Sequence, residues 1–154
     1  MHDIAQRLKE LNIALPTPAG AVANYVGYSI SGKNIFISGQ LPMDQGKPQF
    51  IGKLGKEFSI EQGQQAARLC AINVLAQLQA ALHGEWFKLA ACVKLTGFIN
   101  CPDNFIDQSK VMNGASDLMV EVLGDQGRHA RAAVGVSSLP LGVAVEVEGI
   151  FSLR

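Results

Sequence analysis

His129-Ala130-Arg131-Ala132-Ala133-Val134-Gly135-Val136-Ser137-Ser138-Leu139-Pro140, continued by Leu141-Gly142-Val143-Ala144-Val145-Glu146-Val147-Glu148-Gly149-Ile150-Phe151, is the stretch on which the reading of this chain turns. Two runs rich in valine flank a Leu-Pro-Leu-Gly break, a pattern that reads as a β-hairpin with a loop of about four residues. In the second run Val143, Val145, Val147, Gly149 and Phe151 take one face, and Ala144, Glu146, Glu148 and Ile150 take the other. Both carboxylates therefore share a face that is half polar at best.

Upstream, Asp3 is placed to cap a short helix with Ile4, Leu8 and Leu11 on one side, ended by Asn12 and Pro16. This segment reads as an arm joined by a Pro16-Thr17-Pro18-Ala19-Gly20 linker, giving an organisation of 1–20 arm and linker and 21–154 main domain. Residues 25–31 and 33–38 read as strands about Ser31-Gly32, and 43–58 as a long surface loop. Ser59-Ile60-Glu61-Gln62 has the form of a capping box opening a long helix. In that helix Ala67, Cys70, Ala71, Val74, Leu75 and Leu78 recur every three or four residues, and Gly84 follows its end. A strand over 90–100 and a helix over 105–123 complete the order β-β-α-β-α-β-β. This order predicts an α+β fold of one sheet with two helices on one face, leaving the other face to be covered by association.

Composition narrows the function classes. The 154 residues suit one core, with 48% hydrophobic and only 17% charged residues against a typical share of roughly 25%. Thirteen basic and thirteen acidic residues cancel, so no net field favours nucleic acid or anionic lipid. No apolar run reaches the roughly 18 residues of a membrane helix, and the N-terminal residues lack a signal core; a cytoplasmic location without membrane attachment is expected. Cys70, Cys92 and Cys101 lack metal or disulfide spacing and read as small buried hydrophobes. His2, His83 and His129 are scattered, and nucleotide, serine-hydrolase and zinc-protease motifs are missing.

What remains is Arg131 against Glu146. In a hairpin centred near Pro140, Glu146 would lie opposite residue 134, roughly 10 Å along the strand from Arg131, leaving room for a small molecule between the two. A guanidinium fork fits a carboxylate, and a glutamate can order or deprotonate water. From spacing alone a salt bridge or two unrelated surface charges is the favoured reading, and register decides, since a one-residue slip turns either side chain to the opposite face.

The Ala130-Arg131 pair, the Leu139-Pro140 break and Val145-Glu146-Val147-Glu148-Gly149-Ile150 resemble the C-terminal signature of the YjgF/RidA family, also labelled endoribonuclease L-PSP-like. Asn24-Tyr25-Val26 and Ile37-Ser38-Gly39-Gln40-Leu41-Pro42 resemble its N-terminal motifs, and residues 98–105 with Asn113 its third strand and second helix. The resemblance implies a chorismate-mutase-like fold and a homotrimer with clefts between neighbouring subunits. It further implies hydrolysis of reactive 2-imino or enamine acids, such as 2-iminobutanoate and 2-iminopropanoate, to 2-keto acids and ammonia, with no metal or organic cofactor. By the same resemblance Arg131 grips the substrate carboxylate with help from the backbone N–H of Ala133, and Glu146 positions the attacking water. The resemblance likewise implies that Tyr25, Ser38, Gly39 and Asn113 line the cleft. Two alternatives are a noncatalytic trimer that binds small carboxylates and the ribonuclease of the family label; balanced charge and the lack of a basic aromatic strip count against the latter. The chain departs from the family pattern at His129 and Asn24, where proline is common, and at Ala133, where many members carry cysteine.

Overall fold

The computed structural model describes residues 3–18 and 23–154. Helix α1 (Ile4–Glu10) starts at Asp3, whose carboxylate accepts from the Gln6 N–H, and buries Ile4 and Leu8. Its Arg7 Nε donates to the Glu121 carbonyl 2.8 Å away, tying this segment to α3 (Gln108–Leu123). The 1–20/21–154 division falls on residues outside the described set.

Strands β1 (Tyr28–Ser31) and β2 (Asn34–Gln40) form the first hairpin about Gly32, whose φ of +58° suits glycine. Tyr25 and Val26 precede the strand and are exposed. Helix α2 (Ile60–Ala81) opens on the capping box: Ser59 Oγ accepts from the Gln62 N–H, and Gln62 Oε1 accepts from the Ser59 N–H. Val74, Leu75 and Leu78 on its apolar stripe are fully buried. α2 packs against α3 closely enough that a Cβ at Gly114 would enter the Gln64 backbone carbonyl. All three cysteines are free and buried.

The expected C-terminal hairpin does not form. Strands β6 (Ala130–Val136) and β7 (Val145–Leu153) are separated by β5 (Leu89–Asn100) in a five-stranded sheet of order β1-β2-β7-β5-β6. β6 runs parallel to β5, with α3 as the crossover, and every other pairing in this sheet is antiparallel. The physical reason lies at the end of β5. Asn100, 3% exposed, donates its amide to the Val143 carbonyl, and its N–H bonds the Ala144 carbonyl, while the following Cys101 N–H bonds the Val136 carbonyl. The link from β6 to β7 thus arches over the end of β5 and is held by it.

Residues 43–58 are more than a surface loop. They carry a separate ribbon of β3 (Met43–Asp44) and β4 (Lys47–Pro48), and Leu54 is fully buried. Lys53 Nζ donates to Asn100 Oδ1 at 2.7 Å and to the Ser137 carbonyl, and the Gly52 N–H reaches the Gly142 carbonyl. This segment therefore clamps the arch from outside, through contacts between residues far apart in the chain.

Helices α2 and α3 cover one face of the sheet, as expected of an α+β layer. β7 sends Val145, Val147, Gly149 and Phe151 into that core and turns Glu146, Glu148 and Ile150 to the open face. Phe36 and Val134 on the open face remain 43% and 44% exposed, so the uncovered face is partly apolar. Among the described residues no helix is long and apolar enough to cross a membrane.

Candidate functional site

The seven residues singled out from the sequence fall into two clusters on opposite faces of the sheet. The first gathers at a β-bulge. Between Ile37, which pairs with Gly149, and Gln40, which pairs with Val147, β2 spends three steps against two on β7. The extra residue makes room at Ser38-Gly39. There Glu146 lays its carboxylate against the Gly39 Cα so closely that a Cβ at residue 39 would overlap Oε2. Ser38 donates its hydroxyl to the Val26 carbonyl at 2.6 Å and its N–H to the Gly27 carbonyl at 2.9 Å, which brings the Tyr25 segment to the same bulge. Tyr25 itself is 62% exposed.

Glu146 is half-buried, and among the described residues no hydrogen-bond donor reaches its carboxylate. Desolvation by burial, reinforced by the negative charge of Glu148 two residues along the same face, raises its pKa above the ordinary carboxylate value. Burial likewise pushes the Cys70 thiol well up, with Glu146 adding to it, so this cysteine is a neutral core group and not a nucleophile.

The second cluster sits on the helix-covered side of the edge strand β6. Arg131 pairs with Leu95 in the β5 register, and its side chain crosses to α3. There Nη1 donates to Asn113 Oδ1 at 2.9 Å and to Ser116 Oγ at 3.2 Å, while Nη2 donates to the Ser109 carbonyl at 3.2 Å. Three of its five N–H donors are thereby used, all on neutral oxygens; Nε–H and one Nη2–H remain. Arg131 takes part in no ion pair among the described residues. The result is a guanidinium fixed in place with its charge uncompensated. Ala133 lies two residues on, partly buried on the same side of β6. Farther along that side is a depression of about 320 Å³ bordered by Cys101, Phe105, Gln108, Gly135 and Ser137.

Arg131 and Glu146 are therefore not brought together in one chain, which corrects the hairpin reading. Nor do they form the salt bridge that the spacing left open. Ser109 and Ser116 were missed by sequence reasoning. Their signal was present: 109, 113 and 116 are spaced by four and three, one stripe of a helix.

The half-buried carboxylate beside the β2 bulge and the cation pinned by helix oxygens stand on two faces of a β-β-α-β-α-β-β sheet. Residues 5–150 fit the family model described as "YjgF/chorismate mutase-like, putative endoribonuclease". The chain belongs to the YjgF/RidA family. Within that family it is 46% identical to Protein TCP17 of Trypanosoma cruzi, over 98% of this chain and 94% of the relative. The crystal structure of Atu1372 from Agrobacterium tumefaciens, a protein of unknown function, superposes with a TM-score of 0.92 at 46% identity, covering 98% of this chain and 92% of that one. Escherichia coli TdcF, solved with bound serine, is more distant, with a TM-score of 0.62 at 25% identity over 90% of this chain and 94% of its own. In this YjgF/RidA chain β5 separates β6 from β7, where the sequence predicted a hairpin. Among the described residues of this family member no three His, Cys, Asp or Glu side chains converge as a metal site would require.

Proposed function

We propose that this YjgF/RidA chain hydrolyses small reactive 2-imino acids, and their enamine tautomers, to 2-keto acids and ammonia, acting as a homotrimer whose sites form between neighbouring copies. The observation that carries the proposal is the state of Arg131: three neutral oxygens hold it, no carboxylate among the described residues pairs with it, and its remaining donors suit an incoming carboxylate. Because Glu146 lies on the opposite face in its own chain, the carboxylate that meets this arginine's ligand is the one on a second copy. The partly apolar open sheet face supplies the surface for that association. TdcF, with its bound serine, offers a parallel, since serine too is a small molecule bearing a carboxylate.

In the reaction, Arg131 takes the substrate carboxylate and the Ala133 backbone N–H assists. Tyr25, Ser38, Gly39 and Asn113 border the cleft. A water held by Glu146 attacks C2 of the protonated imine; a C–O bond forms, the C=N π pair moves to nitrogen, and the water proton passes to the Glu146 carboxylate. That proton is returned to nitrogen; as the C–N bond breaks and ammonia departs, the C2 hydroxyl gives its remaining proton to the Glu146 carboxylate and becomes the keto oxygen, and Glu146 then releases that proton to solvent. A carboxyl whose pKa lies above the usual range is the stronger base for the first transfer and can still release the proton for the second. A protonated imine is already electrophilic, so orientation and a placed water suffice.

The test is release of 2-ketobutyrate and ammonia from freshly generated 2-iminobutanoate above the buffer rate. Arg131→Ala is expected to abolish the excess, because loss of a desolvated carboxylate contact costs roughly 2–5 kcal/mol. If the wild type gives no excess but still binds 2-ketobutyrate, the chain is a carboxylate-binding protein and the hydrolase reading fails.

A further inference from the structure

Behind Arg131 lies a chain of hydrogen bonds that the proposed reaction does not use. Ser116 Oγ stands 2.9 Å from His129 Nε2, and His129 Nδ1 stands 2.6 Å from the Gly127 carbonyl oxygen. A carbonyl oxygen only accepts, so Nδ1 carries the ring proton and Nε2 of the neutral imidazole is an acceptor. The Ser116 hydroxyl then has one orientation that satisfies both neighbours: its proton goes to Nε2, and its oxygen faces the Arg131 Nη1–H. Every donor points the same way, from Arg131 through Ser116 and His129 to Gly127, a sequence in which each bond polarises the next. Without the imidazole, the hydroxyl would be free to rotate and turn its own proton toward the guanidinium.

We infer that His129, acting through Ser116, is a positioning residue for Arg131: it fixes the serine hydroxyl as an acceptor and so determines which edge of the guanidinium, Nε–H with one Nη2–H, is presented to the substrate carboxylate. This rests on the carboxylate-gripping role proposed above and deepens it. Gly127 lies directly against α3, where a Cβ would overlap the Met119 carbonyl, so the acceptor that sets the tautomer packs on the same helix that carries Ser116. The relay acts on recognition of the carboxylate and leaves the water at Glu146 untouched.

The experiment compares calorimetric affinities for 2-ketobutyrate and its methyl ester, which lacks the anion, in the full-length wild type and in Ser116→Ala, Ser116→Thr, His129→Ala and Arg131→Ala. Ser116→Ala and His129→Ala are expected to lose about tenfold in affinity for the acid, the weight of one bond to a charged group, while the ester is held as before. Ser116→Thr keeps the hydroxyl and should recover the preference for the acid. A second readout needs no ligand: long-range ¹H–¹⁵N spectra at alkaline pH should give His129 as the Nδ1–H tautomer. The inference is overturned by an Nε2–H tautomer, by Ser116→Ala and His129→Ala retaining wild-type discrimination where Arg131→Ala has lost it, or by equal losses for acid and ester, which mark a merely structural role. A wild type that fails to prefer the acid overturns the parent proposal, and this one with it.

Discussion

Two inactive variants of this protein should restore activity to each other. Arg131 lies on β6 and Glu146 on β7, with β5 between them, and in the β5 register they sit at Leu95 and Phe98. Two strand spacings and three residues of offset place their Cα atoms roughly 14 Å apart, on opposite faces of the sheet. One small carboxylate cannot touch both within a chain. A chain carrying Arg131→Ala keeps an intact Glu146, and a chain carrying Glu146→Gln keeps an intact Arg131. Each variant alone has no complete site; the glutamine form should fall to about a hundredth of wild type or less, the usual scale of a lost general base. Co-expressed at equal levels with different tags and purified through both, the chains mix in one assembly. A site needs its arginine from one variant and its glutamate from the other, so in a trimer holding both variants about one site in three is intact. The assay is ammonia release from 2-iminobutanoate per mole of chain, compared with the two single variants and the wild type. A mixed assembly no more active than the average of its parents would refute the shared site and return both residues to one chain or to no common role.

Gly39→Ala places a methyl on the Glu146 carboxylate, and because only the end of a flexible side chain must move, turnover should drop while the thermal midpoint changes little; circular dichroism beside the ammonia assay checks both. Glu146 has a folded pKa above its unfolded value, so the native state binds more protons than the unfolded state in the window between them. Stability contributed by this group therefore rises as pH falls through the raised folded pKa, and its ionisation costs stability above it. Glu146→Gln should accordingly raise the midpoint at neutral pH and lose that advantage below the ordinary carboxylate range, as read from melts across pH. Gly114→Ala drives a methyl into the Gln64 backbone carbonyl at the α2–α3 contact and should cost roughly 1–3 kcal/mol in urea unfolding without changing the pH dependence of activity.

Much of this architecture is legible in the residues alone because local physics states it directly. The Ser59/Gln62 capping box and the three-and-four spacing from Ala67 to Leu78 specify where α2 starts and which side it buries, and both hold in the fold. Alternation in β7 has strong polarity contrast, Val145, Val147 and Phe151 against Glu146 and Glu148, so the shared face of the two carboxylates follows from period two alone. The likeness of 130–150 to the YjgF/RidA signature carried the family assignment.

The neighbour of each strand is another matter, because backbone hydrogen bonds are the same for every sequence and a valine-rich strand pairs with any edge offered to it. Only the folded chain, with Asn100 bonded to the Val143 carbonyl and Lys53 bridging Asn100 and Ser137, reveals that β5 separates β6 from β7. The facing of Arg131 was equally hidden: Ala130, Ala132, Ala133 and Gly135 provide no polar–apolar contrast, so nothing in that strand says which side meets the core. Sequence alone singled out Arg131 and Glu146, since a guanidinium and a carboxylate have their properties wherever they stand. Tertiary structure decided that they stand on opposite faces, because the face of a side chain is set by strand order and register, and those are properties of contacts distant in the chain.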